Sequence, residues 1–240
     1  MDHFHLLLNT KISIPDTNAE RQHRPESFDW RILNHVTPIR SQNGCAACWA
    51  FSTVAAVESA ISIKHGKLLD LSEQMLIDCN PNYYGCKGGY PPFAMEFVRT
   101  FGLSTEEEYP YRGTEGKQCR INSNQTHLFI DGYTLLDKNE DSIADWIVNH
   151  GPVSFLMAFT RSMYTYRSGI FHPDPEECQK QSFGSHGMIL VGYGISSDSQ
   201  PYWIVKNSWG INWGENGYMR LARGFNVCGM ANFVVAPIVR

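Results

Sequence analysis

The stretch that decides the fold is Gln42-Asn43-Gly44-Cys45-Ala46-Ala47-Cys48-Trp49-Ala50-Phe51-Ser52, because a long apolar helical pattern starts at its second cysteine. From Cys48 to His65 apolar residues recur at the spacing of one broad helix face, and Gly66 follows as a typical stop. We therefore expect Cys48 at the N-terminus of a helix, where the dipole favours a thiolate. The pattern predicts a reactive thiol at that point.

Two later segments carry the groups that a cysteine nucleophile needs. Residues 185–194 read Ser-His-Gly-Met-Ile-Leu-Val-Gly-Tyr-Gly, and residues 202–210 read Tyr-Trp-Ile-Val-Lys-Asn-Ser-Trp-Gly. The imidazole of His186 can take the proton of Cys48 and return it to the departing amine. An amide such as Asn207 can hold that imidazole in one orientation. The three segments together predict nucleophilic catalysis.

A developing oxyanion also needs preorganised donors. The side chain of Gln42 and the backbone N–H of Cys48 are the two donors that the motif offers.

The predicted secondary structure changes along the chain, from helices in the first half to strands in the second. After the helix from Cys48, helices are predicted from Ser72, from about residue 92 to Thr100 and from Asp141 to His150. This order predicts an α+β fold, and it also fits two lobes. The strand-like runs are Val153–Met157, Met188–Tyr193, Tyr202–Lys206, Gly217–Leu221 and Phe233–Val235.

Composition excludes several classes of protein. Apolar residues make up 42% and charged residues 18%, as in a globular chain. A formal charge of −4 offers no basic surface for nucleic acid, and no apolar run has the roughly 20 residues of a membrane helix. Cys45 and Cys48 have the spacing of zinc ligands, but no second pair completes a site. No metal, cofactor, nucleic acid or membrane is expected, and Glu106–Glu108 is predicted to be a solvated face.

The seven cysteines form an odd set. Three bridges and one reactive thiol would indicate an oxidising compartment, whereas seven buried thiols would fit the cytosol. The count leaves both interpretations open.

In these three segments the chain resembles the papain family of cysteine peptidases, cathepsins included, over about residues 25–240. The resemblance implies a two-lobed fold with the active site between the lobes. A mainly helical lobe is expected over about residues 33–136 and a β-barrel-like lobe over about 137–235, with the terminal segments crossing between them. Residues 1–24 are predicted to be a tail or the remnant of a pro-segment.

The resemblance also assigns roles to residues. It implies that Cys48 attacks the scissile carbonyl, that His186 acts as base and acid, and that Asn207 orients His186. Trp209 is expected to shield that hydrogen bond from water, and Gln42 is expected to complete the oxyanion hole. The implied bridges are Cys45–Cys86, Cys79–Cys119 and Cys178–Cys228, which leave Cys48 free.

The predicted substrate-binding residues follow from the same resemblance. Gly88 and Gly89 are expected to present backbone to an extended substrate. An apolar pocket is expected to take the residue second before the scissile bond; its predicted members are Tyr90, Pro91, Leu156, Gly187 and Phe233. No insertion that would cap the cleft follows Gly89, which favours an endopeptidase. Ala46 stands where the family usually has glycine, and a methyl there would narrow the cleft or strain the backbone.

Two hypotheses for function remain from the sequence. The first is an active endopeptidase, with protein or peptide substrates and with cystatin-like inhibitors implied by the resemblance. The second is a catalytically impaired homologue that acts as a binding or scaffold protein. A disulfide-rich binding module without enzymatic ancestry does not account for the three segments.

The compartment is predicted from conflicting signals. No export signal is visible in residues 1–24, whereas the cysteine arrangement favours a secreted or lysosomal-type protein, made as a longer zymogen. Asn124-Gln125-Thr126 matches the N-glycosylation pattern. A monomer is expected.

Overall fold

The computed structural model describes residues 24–80, 85–116, 118–122 and 124–240. The tail predicted over residues 1–24 lies outside the described residues except for Arg24. Among the described residues, no helix has the length and apolar character that crossing a bilayer requires.

The helix that begins at the motif cysteine has the predicted bounds. Helix α1 runs from Cys48 to His65 and ends at Gly66, whose φ of 71° places it in the left-handed region that suits glycine. The next helix begins after Ser72, as predicted, because the Ser72 hydroxyl accepts a hydrogen bond from the Met75 N–H. Local capping chemistry therefore sets these boundaries.

The remaining elements follow the predicted change from helices to strands. The sequence patterns did not indicate the short strands β1, β2 and β4 or the short helices α5 and α6. The helices after α1 are α2 (Glu73–Cys79), α3 (Pro91–Phe101), α4 (Glu140–His150), α5 (Arg161–Tyr164) and α6 (Pro175–Lys180). The strands are β1 (Phe28–Asp29), β2 (Gly132–Leu135), β3 (Val153–Ala158), β4 (Ile170–Phe171), β5 (Ser185–Ile195), β6 (Pro201–Lys206), β7 (Tyr218–Ala222) and β8 (Val234–Ile238).

The strands form one sheet in the order β2-β8-β3-β5-β6-β7-β4, and β1 pairs with β5 outside this path. All pairs are antiparallel except β4 with β7. The long strand β5 lies near the centre, with β3 on one side and β6 on the other. Because β5 is antiparallel to both β3 and β6, the residues that precede β5 lie at the same end of the sheet as those that follow β3 and β6.

The two faces of the sheet bury two different cores. On β5, Ile189 and Val191 pack with α1, α2 and α3 in a first core, whereas Met188 and Leu190 pack in a second core. This alternation follows from the period of two in a strand. The helix that carries Cys48 therefore packs directly on the strand that carries His186, which is how the fold brings the two motifs together.

The described residues contain three disulfides, in the pairs that the resemblance implied. Cys45–Cys86 and Cys79–Cys119 lie around the first core, and Cys178–Cys228 lies beside the second core. Cys48 is the free thiol. The residue boundaries expected for the two lobes stay a prediction, because the sheet contributes to both cores.

Candidate active site

The buried pair His186 and Asn207 fixes the tautomer of the imidazole. Asn207 Oδ1 accepts the backbone N–H of Ser208 at 2.8 Å, which identifies this atom as the amide oxygen. His186 Nε2 lies 2.8 Å from the same oxygen. Because an oxygen acceptor requires a donor, the neutral ring carries its proton on Nε2. Nδ1 is then the nitrogen that can exchange a proton with a thiol or an amine.

Trp209 covers this hydrogen-bonded pair. Its ring centroid lies 4.6 Å from that of His186, with 35° between the ring planes. The half-buried indole packs edge-on against Trp213 at 5.1 Å, which fixes its position. This placement agrees with the predicted shielding of the imidazole–amide hydrogen bond.

Cys48 lies at the first position of α1, as predicted, and Gly187 lets that helix end approach β5. A Cβ on Gly187 would stand 3.1 Å from Cys48 O and 3.0 Å from Ser52 Oγ. Burial raises the pKa of the Cys48 thiol, while the backbone N–H groups of Gly187, Trp49 and Cys48 itself lower it. Burial outweighs these donors, so the donors alone do not ionise the thiol.

The charged form of the His186 imidazole is also disfavoured by burial. Burial lowers the pKa of His186 to about 4, against a smaller opposing effect of its hydrogen bond to Asn207. Burial therefore disfavours a lone charge on either Cys48 or His186. Proton transfer from sulfur to Nδ1 creates both charges together, and each then stabilises the other. The site favours a neutral pair or an ion pair over a single charged group.

Gln42, the predicted oxyanion donor, is held at both ends of its amide. Its Oε1 accepts the Ser208 hydroxyl at 2.7 Å, and its Nε2 donates to Cys45 O at 2.9 Å. A primary amide has two N–H donors, so one remains for a ligand. The side chain is nearly fully buried, which limits its rotation. These contacts give a donor of fixed direction next to the motif cysteine.

A second buried hydrogen bond ties α1 to the sheet below the site. Ser154 Oγ on β3 donates to Ser52 Oγ on α1 at 2.9 Å, and both residues are buried. Together with the close approach of Gly187 to Cys48 and Ser52, this bond fixes the distance between the start of α1 and the sheet.

Gly88 and Gly89 follow a 3₁₀ turn at Gly85–Lys87. A Cβ on Gly89 would lie 2.3 Å from the buried ring of Trp49, so glycine is required there. Gly89 is exposed. The predicted role in substrate binding stays a prediction.

The structure brings most of the predicted apolar pocket together. The rings of Tyr90 and Phe233 lie 4.7 Å apart, and Leu156 N donates to Phe233 O at 3.0 Å. Leu156 also pairs with Gly187 across β3 and β5. Pro91 directly follows Tyr90 in the sequence, is the first residue of α3 and is buried. None of these five residues carries a carboxylate.

Ala46 affects the site through its methyl group and not through its backbone. Its φ is not positive, so the backbone strain that the sequence left open does not arise. The residue is exposed, and its N–H donates to Cys86 O at 2.9 Å. A methyl that narrows the cleft remains the expected consequence. Asn124 is also exposed, as a glycosylation acceptor must be.

A buried group of charges lies behind the site. Glu58, on α1, accepts from Thr37 Oγ1 at 2.6 Å and from the Leu71 N–H at 2.8 Å. Lys206 Nζ donates to Thr37 O at 2.8 Å. Burial raises the pKa of Glu58 to about 7, although Lys206 opposes this shift. Glu58 and Lys206 line one cavity together with Asn207 and Ser52, so this cavity reaches from the buried charges to the predicted catalytic amide.

Sequence reasoning missed Ser208, Ser52 and Ser154. Serine adjoining a motif is common, and the hydrogen-bond partner of each of these serines lies more than 100 residues away. Only the fold reveals these contacts. Within the described ranges, no cluster of three or more His, Cys, Asp or Glu side chains could hold a metal ion.

Comparison with known proteins identifies the class. The family model described as papain family cysteine protease matches residues 24–238, and the chain belongs to this family. Its fold is the α+β papain-like fold.

Individual relatives and solved structures show how similar the chain is to known proteins. The chain is 41% identical over 224 residues to pro-cathepsin H from Bos taurus, which covers 89% of this chain and 64% of that relative. Digestive procathepsin L2 proteinase from Tenebrio molitor larval midgut has a TM-score of 0.84 at 36% identity, covering 90% of this chain and 68% of that one. Bromelain protease from Ananas comosus, in complex with the E64 inhibitor, has a TM-score of 0.80 at 37% identity, covering 90% and 100%. The chain spans less than two thirds of the length of the curated relatives, 62% in one case and 36% in another.

Proposed function

We propose that this chain is a cysteine endopeptidase that hydrolyses peptide bonds through a thioester acyl-enzyme. The observation that carries the proposal is the buried hydrogen bond from His186 Nε2–H to Asn207 Oδ1. It leaves Nδ1 available for proton exchange, and the free thiol of Cys48 lies at the N-terminus of the helix packed on the same strand.

The reaction follows from these positions. The sulfur of Cys48 attacks the carbonyl carbon, and the oxyanion accepts N–H groups from Gln42 and from the Cys48 backbone. His186 Nδ1, which has taken the proton of Cys48, gives it to the departing amine as the C–N bond breaks, which leaves a thioester on Cys48. His186 Nδ1 then takes a proton from water as the water oxygen bonds to the acyl carbon; the C–S bond breaks, the carboxylic acid leaves, and the thiolate–imidazolium pair is restored. Asn207 keeps the ring in one orientation through both steps.

Labelling with a thiol-reactive substrate mimic tests the proposal. The active enzyme should be labelled at Cys48, and the label should be absent in Cys48→Ser. The rival hypothesis, an impaired homologue that serves as a scaffold, predicts slow labelling at the rate of a simple thiol and no turnover. Peptides blocked at both ends test endopeptidase action, because an exopeptidase would leave them intact.

Substrate preference follows from the pocket of Tyr90, Leu156 and Phe233. We expect leucine or phenylalanine to be preferred second before the scissile bond, because an arginine would be buried without a counter-charge. Phe233→Glu should shift the preference towards arginine, since the new carboxylate would stand at the pocket wall. A wild-type profile with arginine preferred over leucine contradicts this part of the proposal.

Cellular context belongs to the same proposal. Three disulfides beside a free Cys48 fit an oxidising compartment, so we expect a secreted or lysosomal monomer inhibited by cystatin-like proteins. Thiol counting by mass spectrometry, with and without reduction, should find one free thiol in active protein from its native source. Seven free thiols in active protein would refute the compartment. The same spectra should show a glycan at Asn124.

A further inference from the structure

The chain contains two Asn-Gly pairs, Asn43-Gly44 and Asn216-Gly217, and the structure holds them in different turns. An asparagine followed by glycine can modify itself, because the nitrogen of the glycine can attack the carbon of the side-chain amide. Glycine has no Cβ, so its nitrogen is the least hindered of the backbone nitrogens. The conformation of each turn then determines which pair is able to react.

Asn43 and Gly44 are the two central residues of a β-turn. The N–H of Cys45 donates to Gln42 O at 3.3 Å, which closes the turn. Asn43 has a φ of 51°, whereas the φ of Gly44 lies outside the left-handed region. A positive φ at the first central residue alone defines a type II′ turn, in which the ψ of that residue is about −120°.

This ψ brings the reacting atoms of the first pair together. The Cβ of an L-residue stands one third of a turn from its nitrogen around the Cα–C bond. At a ψ of about −120°, Cβ is therefore eclipsed with the nitrogen of the next residue. Cγ of Asn43 and the nitrogen of Gly44 are then the two ends of a five-membered ring, and only rotation about the Cα–Cβ bond is needed to close it.

The surroundings of this turn leave ring closure unhindered. Both residues are exposed, and a Cβ built on Gly44 would have nothing within 4 Å apart from its chain neighbours. Within the described residues, the N–H of Gly44 donates to no acceptor, so its nitrogen loses no hydrogen bond on reacting. The Ser41 hydroxyl donates to Asn43 Oδ1 at 3.1 Å, which polarises the amide carbonyl towards attack.

The second pair is an internal comparison. Asn216 and Gly217 have φ values of 55° and 87°, and Tyr218 N donates to Glu215 O at 3.1 Å. This is a type I′ turn, whose first central ψ is about +30° and keeps Cβ away from the next nitrogen. Gly217 is also buried, and its N–H donates to Trp213 O at 2.7 Å. Both the turn and the hydrogen bond therefore protect this pair.

We propose that Asn43 is a self-modification site that attenuates the peptidase. The Gly44 nitrogen bonds to Cγ of Asn43 and loses its proton, the C–N bond of the side-chain amide breaks, and ammonia leaves. Water then opens the resulting succinimide at one of its two carbonyls. Opening at the side-chain carbonyl gives aspartate, and opening at the backbone carbonyl gives isoaspartate, in which the chain runs through Cγ.

Isoaspartate at this position lengthens the backbone by one methylene directly after Gln42. The carbonyl of Gln42, the proposed oxyanion donor, accepts both the Cys45 N–H that closes the turn and the Tyr111 hydroxyl at 2.7 Å. A longer backbone cannot keep these contacts unchanged, so the donor moves relative to Cys48. A displacement of about 1 Å costs roughly a hundredfold in rate. The effect on activity rests on the proposed function, whereas the modification itself does not.

Ageing of the purified full chain tests both parts. Cys48 is blocked as a mixed disulfide to prevent self-digestion, and the protein is kept in mildly alkaline buffer, which favours deprotonation of the attacking nitrogen. Isoaspartate is located by peptide mass spectrometry and by labelling with an isoaspartyl methyltransferase, and kcat is measured after the block is removed. Isoaspartate should accumulate at position 43 and not at position 216. Activity should fall in proportion, because each molecule with isoaspartate is about a hundredfold slower.

Two variants are matched to this measurement. Gly44→Ala adds a methyl that the structure accommodates, since a Cβ there meets nothing within 4 Å, but the methyl hinders the attacking nitrogen. Modification at position 43 should be several-fold slower in this variant. Asn43→Gly suits the positive φ and has no side chain that could close a ring, so this variant should keep its activity throughout.

The contrary outcomes are distinguishable. Absence of isoaspartate at position 43, or equal rates at positions 43 and 216, overturns the modification, as does an equal rate in Gly44→Ala and the wild type. Isoaspartate at position 43 with unchanged kcat overturns the attenuation and leaves the proposed function standing. Absence of turnover in fresh protein refutes the proposed function, while the isoaspartate measurement still decides the modification.

Discussion

Raising the pH from 4.5 to 8 should weaken the folded protein through Glu58. This side chain is 2% exposed, and burial raises its pKa from 4.5 to about 7. A group whose pKa is raised on folding contributes stability below its unfolded value, and this contribution is lost as the pH rises through the folded value. A shift of this size corresponds to roughly 3 kcal/mol of unfolding free energy, lost between pH 4.5 and 8.

His186 opposes this trend, so the wild-type profile alone would mislead. Its pKa falls from 6.5 to about 4 on folding. A group whose pKa is lowered contributes stability above its unfolded value, and this is lost as the pH falls through 4. The two effects have similar size and opposite sign over nearly the same range. The informative quantity is therefore the difference between the wild type and Glu58→Gln, in which the contribution of His186 cancels.

Urea denaturation measures this difference. Both proteins carry Cys48→Ser to prevent self-digestion, and their unfolding free energies are compared from pH 4.5 to 8. The advantage of the wild type over Glu58→Gln should shrink by about 3 kcal/mol across this range. Glu107→Gln, at an exposed position, is the matched control and should give a flat difference. A flat difference for Glu58→Gln as well would refute the reasoning that burial holds this carboxyl neutral.

Three further predictions follow from the site. Asn207→Ala should lower kcat less than His186→Ala, because the amide only orients the ring; equal losses in steady-state assays would show that orientation matters as much as the proton. Gly89→Ala should destabilise the fold by about 1–3 kcal/mol in urea, because the new Cβ would stand 2.3 Å from the buried Trp49 ring. Ser208→Ala frees the amide oxygen of the oxyanion donor and should lower kcat about tenfold with little change in KM; a rise in KM alone would assign Ser208 to substrate binding.

Features set by local chemistry could be predicted from the sequence. The start of α1 at Cys48, its end at Gly66 and the cap at Ser72 all depend on neighbours within one turn. Strands β3, β5, β6, β7 and β8 were predicted for the same reason, with boundaries that differ by no more than three residues. The three disulfide pairs came from the family resemblance, since the cysteine count alone left the redox state open.

Features set by distant partners could not be predicted. Glu106 was predicted to be solvated, which is wrong: its side chain is 21% exposed, accepts the Tyr111 N–H at 2.8 Å and pairs with Arg40. Strand β2 was missed because its pattern is weak, and pairing with β8 defines it. The hydrogen bond from Ser208 to Gln42 joins residues that lie 166 positions apart in the sequence. In each case a contact made only in the folded chain decides the outcome.

The placement of the disulfides has a consequence for how the molecule fails. Each bridge ties residues around one core, and no disulfide among the described residues joins α1 to β5; the two elements pack together, and the bond from Ser154 on β3 to Ser52 supports this contact. Cys48 on α1 and His186 on β5 therefore lie on opposite sides of a contact that no disulfide reinforces. A small displacement of α1 relative to β5 would abolish activity, while the elements around both cores keep their secondary structure. Turnover should then be lost at lower urea concentrations than ellipticity, which makes activity the more sensitive gauge of structural integrity.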